Sequence, residues 1–279
     1  MKIKIISILI TGTFLFSTCK KDDPSADTEY RVKISCVDTP LIISLDDDKA
    51  LGKQFDEEIS KNTTEYPLLD PAQYATAYTY ITKIRDKILN SGRVKHKDDF
   101  VWQVKIIKND SVLNAFCTPG GYIYVYSGII KYLEKEDDLA GVLGHEIAHA
   151  DLRHTSHSIQ TEQGISIIQE ILLGKNYAAV ANIAKQLGFL KYSRCHESQA
   201  DEASVVYLSG TNYKCNGAAS FFEKIAAQGG SSTPVFLSTH PDPGKRVESI
   251  NAKSTKLNCN VTTPAADADY TAFKASLPK

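Results

Sequence analysis

The sequence predicts an α+β fold, mostly helical, with a small β-sheet packed beside a long apolar helix. Three observations predict it. Apolar residues recur at helical spacing through most of the chain, and the pattern switches to period two over residues 100–108. An apolar helix follows that stretch, and two imidazoles and a carboxylate are set into it at His145, Glu146 and His149.

The first element is a leader. Lys2 and Lys4 precede the apolar run of residues 5–16, which is too short to span a bilayer comfortably and ends in Ser17-Thr18-Cys19. Small residues before a cysteine resemble a bacterial lipobox. Residues 1–18 are therefore expected to be a lipoprotein signal peptide, with Cys19 the lipidated N-terminus of the mature chain. Residues 19–40 read as a lipidated tether. Its charged start, Lys20-Lys21-Asp22-Asp23, is followed by a short alternation at Tyr30, Val32 and Ile34.

A folded domain is expected over residues 41–258. Residues 46–62 read as a helix, and Asp70-Pro71 as the start of another, with Tyr74, Tyr78, Ile81, Ile84 and Ile88 on one face and Ser91-Gly92 at its end. Phe100, Trp102, Val104 and Ile106 then alternate as one side of a strand. Two further strands, over residues 112–116 and 122–126, are separated by Cys117-Thr118-Pro119-Gly120-Gly121, which reads as a turn. The helix around His145 is expected from near Glu136 to near His157. Residues 164–173 and 177–190 form a helical hairpin, and residues 196–208, 216–228 and 244–253 are further helices. Residues 229–243 read as a long loop, and residues 259–279 as a loosely ordered C-terminal tail.

Composition narrows the partners. A formal net charge of −1 with 23% charged residues leaves no basic excess for nucleic acid. Of the 6 cysteines, lipidation of Cys19 leaves Cys36, Cys117, Cys195, Cys215 and Cys259. An odd number in an oxidising compartment leaves one thiol unpaired. Cys215 with Cys259 is the preferred bridge. Cys117 with Cys195 is either a second bridge or two buried thiols.

The chemistry is concentrated in His145-Glu146-Ile147-Ala148-His149. Four residues apart on a helix, the imidazoles share a face one turn apart, so both can hold a single Zn2+ while Glu146 faces the water it activates. Leu139, Ala140, Val142, Leu143 and Ile147 make the rest of the segment apolar, where uncompensated polar groups are costly. A catalytic zinc site takes three protein ligands, and Glu197-Ser198-Gln199-Ala200-Asp201 offers two carboxylates with the same spacing. Glu197 is the expected third ligand. Asp201, one turn on, is placed to accept from the free ring nitrogen of a ligand histidine.

Together these segments resemble the M48 zinc metallopeptidases, and among them the periplasmic, lipoprotein-type soluble branch. The five-residue segment is followed by Arg153-His154, and Glu197-Ser198-Gln199-Ala200-Asp201 matches an ExxAD motif. Asn114-Ala115-Phe116 with Pro119-Gly120-Gly121, and Thr239-His240-Pro241 with Arg246, match further motifs. The resemblance covers roughly residues 41–255 and implies a zincin-like peptidase domain that hydrolyses polypeptides in a bacterial cell envelope.

It also implies roles. Glu146 is the expected general base and acid, and Asn114, Ala115 and Phe116 offer strand-edge hydrogen bonds to an extended substrate. His240 is expected either to stabilise the oxyanion or to take the open metal position and hold the enzyme latent. Arg246 is expected to pair with a carboxylate and pin that loop. His96, His154, His157 and His196 read as structural or solvated. A non-catalytic, chaperone-like binder of envelope proteins is the alternative, with His240 blocking the metal.

Overall fold

The structure is a computed structural model that describes residues 30–227, 235–240, 243–262 and 268–279. The leader, Cys19 and Pro241 lie outside the described residues. Among the described residues no helix is long and apolar enough to cross a membrane.

Helix α1 (Leu45–Lys61) starts at a capping box. Ser44 accepts from the Asp47 amide while the Asp47 carboxylate accepts from the Ser44 amide, and Asp46, Asp47 and Asp48 favour the positive end of the helix dipole. Helix α2 (Ala75–Leu89) begins four residues later than the Asp70-Pro71 signal suggests. Asp70 instead accepts from Ala72 N and Tyr74 N, making a turn before the helix.

The sheet has strands β1 (Gln103–Ile107), β2 (Ala115–Thr118) and β3 (Tyr122–Tyr126) in the order β1-β3-β2, with β1 parallel and β2 antiparallel to β3. Cys117 and Thr118, expected in the turn, pair with Ile123 and Tyr122 as part of β2. The turn shrinks to Pro119–Gly121, where Gly120 and Gly121 take positive φ. Both faces of the sheet are covered. Ile123 and Val125 join the larger core, whereas Tyr122, Tyr124 and Tyr126 pack on α1 and the hairpin described next.

After α3 (Ser127–Tyr132) comes α4 (Glu136–Asp151), in which every residue from position 137 onward is buried. Gly141 lets it approach α9 (Gly217–Ala227) so closely that a Cβ there would lie 2.1 Å from Ala218 N. The helix ends sooner than its polarity pattern suggests, because Arg153 adopts φ 63° and α5 (His154–Gln163) leaves in a new direction. Arg153 holds this left-handed turn by pairing with buried Asp48 and donating to the Ile43 carbonyl. The hairpin α6 (Ile165–Leu172) and α7 (Tyr177–Gln186) follows, then a 3-10 turn at Leu187–Phe189 and α8 (Arg194–Ser209).

Three expectations are corrected beyond the sheet. The loop of residues 229–243 contains α10 (Val235–Thr239), anchored by buried Phe236 and leading into α11 (Pro243–Leu257). The tail is docked: α12 (Ala268–Ala275) buries Tyr270 and Phe273, and Leu277 follows them into the core. Two such aromatic side chains contribute about 1.5–3 kcal/mol each, enough to hold a short helix. Finally, residues 30–40 are no free tether. Cys36 is bonded to Cys195, overturning the Cys117 pairing, and Cys117 stays a buried free thiol. The Cys215 with Cys259 bridge is present.

Candidate metal centre

Four elements converge on one buried point. Helix α4 presents His145, Glu146 and His149, α8 presents Glu197 and Asp201, His240 directly follows α10, and α11 presents Arg246. The i, i+4 spacing on α4 puts the two Nε2 atoms 3.0 Å apart. Glu197 Oε2 lies 3.4 Å from His145 Nε2, and its Oε1 lies 3.4 Å from His149 Nε2. His240 Nδ1 sits 3.3 Å from His145 Nε2 and 2.9 Å from Glu197 Oε1. Ligand-capable atoms of His145, His149, Glu197 and His240 all fall within 4.8 Å of one another.

Such crowding fits a cation. Imidazole nitrogens facing each other and a carboxylate in a buried space gain little from one another, but all gain from a shared metal ion. The strongest sign is Glu146, fully buried with neither carboxylate oxygen hydrogen-bonded. Its Oε1 is 3.7 Å from His240 Nε2. Three imidazoles and a carboxylate are a borderline donor set that suits zinc among the divalent ions.

The electrostatics are divided. Burial pushes the Glu146 carboxyl up, against the pull of His240 and His145. Burial also acts against charge on Glu197, but His240, Arg246 and His149 outweigh it and hold that carboxyl well below the usual range. Arg246 grips Asp201 with two bonds, Nε to Oδ2 and Nη2 to Oδ1, both 2.7 Å, and places Nη1 2.8 Å from Glu197 Oε2. Its guanidinium also lies over the Phe222 ring. Asp201 Oδ1 in turn sits 3.1 Å from His145 Nδ1.

The sequence reading did not single out Tyr192, Phe236 or Gln199. Tyr192 stacks on His149 with ring centroids 3.8 Å apart, and Phe236 stacks on His240 at 4.2 Å. Phe236 carried a signal, since it precedes His240 by one helical turn. Tyr192 carried none. For His154 the expectation is a structural or solvated side chain. It is buried, its Nδ1 is 3.1 Å from His149 Nδ1, and burial followed by His196 pushes its pKa down to about 3.

Asn114, Ala115 and Phe116 lie at and in β2, one of the sheet's two edge strands, yet all three are buried. Asn114 donates from Nδ2 to Gly188 O, and α10 caps the start of the edge through Phe236 N to Leu113 O at 3.1 Å. One short helix thus both ties down the residue before Asn114 and brings His240 to the cluster.

Comparison with known proteins agrees with this layout. The family described as Peptidase family M48 matches residues 77–254, which contain every residue of the cluster. The mitochondrial metalloendopeptidase OMA1 of Arabidopsis thaliana is 32% identical over 169 residues, 60% of this chain and 35% of that protein. OMA1 of Saccharomyces cerevisiae is 25% identical over 266 residues, covering 91% of this chain and 75% of the yeast protein. The beta-barrel assembly-enhancing protease of Escherichia coli K12 is 26% identical over 177 residues, 58% of this chain and 36% of that one. The chain thus spans little more than a third of the plant and Escherichia coli relatives. The match runs through both helices that carry the cluster, and the chain belongs to peptidase family M48.

Proposed function

We propose that this protein is a zinc-dependent metalloendopeptidase that hydrolyses peptide bonds in unfolded or misfolded proteins of a bacterial cell envelope. Buried Glu146, its carboxylate oxygens without hydrogen-bond partners beside the four-residue cluster, carries the reading. His145, His149 and Glu197 would hold zinc, which supplies Lewis-acid polarisation of the scissile carbonyl and makes a water more acidic. Glu146 accepts the proton of the attacking water and passes it to the leaving amine. Asp201 keeps His145 oriented, and Arg246 keeps Asp201 and Glu197 in place. Asn114, Ala115 and Phe116 bind extended substrate through the β2 edge.

Two disulfides support an oxidising compartment, since such bonds are rare in the cytosol. With the lipobox-like sequence ending at Cys19, this favours residues 1–18 as signal peptide and a lipid anchor at Cys19. The residues from 41 onward form the peptidase unit. Digestion of casein by the wild type, Glu146→Gln and chelated protein tests the activity. Cleavage lost in both altered samples is expected, and equal cleavage in all three contradicts it.

The position of His240 favours a latent form. It stands among the metal-capable donors with its ring 1% exposed, which suits a fourth ligand better than a group awaiting a tetrahedral intermediate. His240→Ala is then expected to raise proteolysis, whereas an oxyanion role predicts a fall.

A further inference from the structure

Residues 30–40 form a strap across α8 and α5, and its bonds are directed toward the metal cluster. The Lys33 and Ile34 amides donate to Glu202 on α8, and Gln160 on α5 donates to the Pro40 carbonyl. Cys36 is joined to Cys195, two residues before Glu197. Asp38 Oδ2 is 3.0 Å from His196 Nε2, and the His196 ring stacks on His154 with centroids 4.4 Å apart. Most telling, Gln199 Nε2 donates to the Ile34 carbonyl at 2.8 Å while its Oε1 is 2.9 Å from His154 Nε2.

These contacts fix a direction. A backbone carbonyl only accepts, so Gln199 must turn its amide NH2 to Ile34 and its oxygen to His154. That oxygen also only accepts, so His154 carries its proton on Nε2 and offers a lone pair at Nδ1. His149 Nδ1, 3.1 Å away, must then be the N–H donor. The lone pair of His149 is left on Nε2, facing His145 and Glu197.

We propose that Gln199 and His154 are positioning residues for His149, and that the strap, clamped by the Cys36–Cys195 disulfide, supplies the carbonyl that sets the tautomer of this ligand. The idea rests on the metal reading above for its consequence, though not for the hydrogen-bond order. Residues 30–40 form no helix or strand, and the disulfide, two residues from Ile34, adds a covalent clamp to the bonds that Glu202 makes with the Lys33 and Ile34 amides.

The test is a double-mutant comparison of zinc affinity, read by chelator competition on folded, zinc-loaded protein. Gln199→Met is expected to raise the zinc Kd about 10–100-fold, the range seen when a partner of a ligand histidine is lost. Cys36→Ser with Cys195→Ser should raise it less, and the triple variant should be no worse than Gln199→Met alone. Gln199→Glu, which accepts whichever way it turns, should keep near-native affinity and make it insensitive to loss of the bridge. Cys215→Ser with Cys259→Ser should leave it unchanged. Unchanged affinity in Gln199→Met, or fully additive losses, would overturn the proposal. A second readout is the His149 ring in 15N NMR of the zinc-stripped wild type. An Nδ1–H tautomer is expected, and an Nε2–H tautomer overturns the idea. If the wild type binds no zinc, the metal reading falls, and the ring spectrum still decides this one.

Discussion

His145 and His149 stand one turn apart on α4 and are supported in opposite ways. On the His145 side the support is ionic. Asp201 faces its Nδ1, Arg246 holds Asp201, and although burial acts to lower the His145 pKa, Asp201 and Glu197 raise it to about 9. On the His149 side the support is neutral. Tyr192 stacks on the ring, His154 meets Nδ1, and burial together with the His145 charge pushes its pKa well below the ordinary value. Both imidazoles are held in place, but the surroundings favour charge on His145 and disfavour it on His149. A cluster of two like-charged imidazoles 3.0 Å apart could not bear protons on both.

The contrast breaks most completely if either ligand is removed. His145→Ala and His149→Ala are expected to abolish stoichiometric zinc and proteolysis together, as metal analysis beside a casein assay will show. Removing the ionic support alone comes next. Arg246→Leu leaves Asp201 and Glu197 as buried charges without their shared cation, and should cost about 3–5 kcal/mol in a denaturant titration. On the neutral side, His154→Phe keeps a ring against His196 but removes the acceptor for His149. It should weaken zinc binding by about 10–100-fold with a smaller loss of stability than Arg246→Leu.

The pH dependence sharpens the contrast without a substitution. Zinc must displace the proton that His145 holds, so zinc affinity should rise by about tenfold per pH unit between pH 7 and the His145 pKa of about 9, then level off. His149, already neutral there, adds no slope. The sign for folding is opposite. A histidine whose pKa is raised in the folded state stabilises the zinc-stripped protein fully below the unfolded value near 6.5, and that stabilisation is lost as pH rises through about 9. A flat zinc affinity from pH 7 to pH 9 would show that the two imidazoles are not differently charged.

How much of this could be read from sequence follows from distance along the chain. His145, Glu146 and His149 were legible because a helix converts a spacing of four into a shared face, and Glu197 with Asp201 repeats the same rule on a second helix. Strand β1 was legible from the alternation of Val104 and Ile106, but Phe100 and Trp102, expected in the same strand, lie before it, where Trp102 takes a φ of 50° and turns the chain. The strap was not legible. Cys36 finds its partner 159 residues away, and residues 30–40 are held by a disulfide and side chain to backbone bonds, neither of which leaves a periodic pattern. The turn at Arg153 was equally hidden, because its left-handed backbone is held by Asp48 from α1. For the tail, Tyr270, Phe273 and Leu277 do have helical spacing, but eight helical residues are too few to be stable without the core they dock on.

Zinc X-ray absorption on the purified wild type and His149→Ala proteins tests the centre most directly. The expected result is one zinc per wild-type chain, with imidazole scattering from at least two histidines and an oxygen from Glu197, and no bound zinc in His149→Ala. Zinc bound without imidazole ligands, or retained in full by His149→Ala, would contradict a metal centre built on α4 and α8.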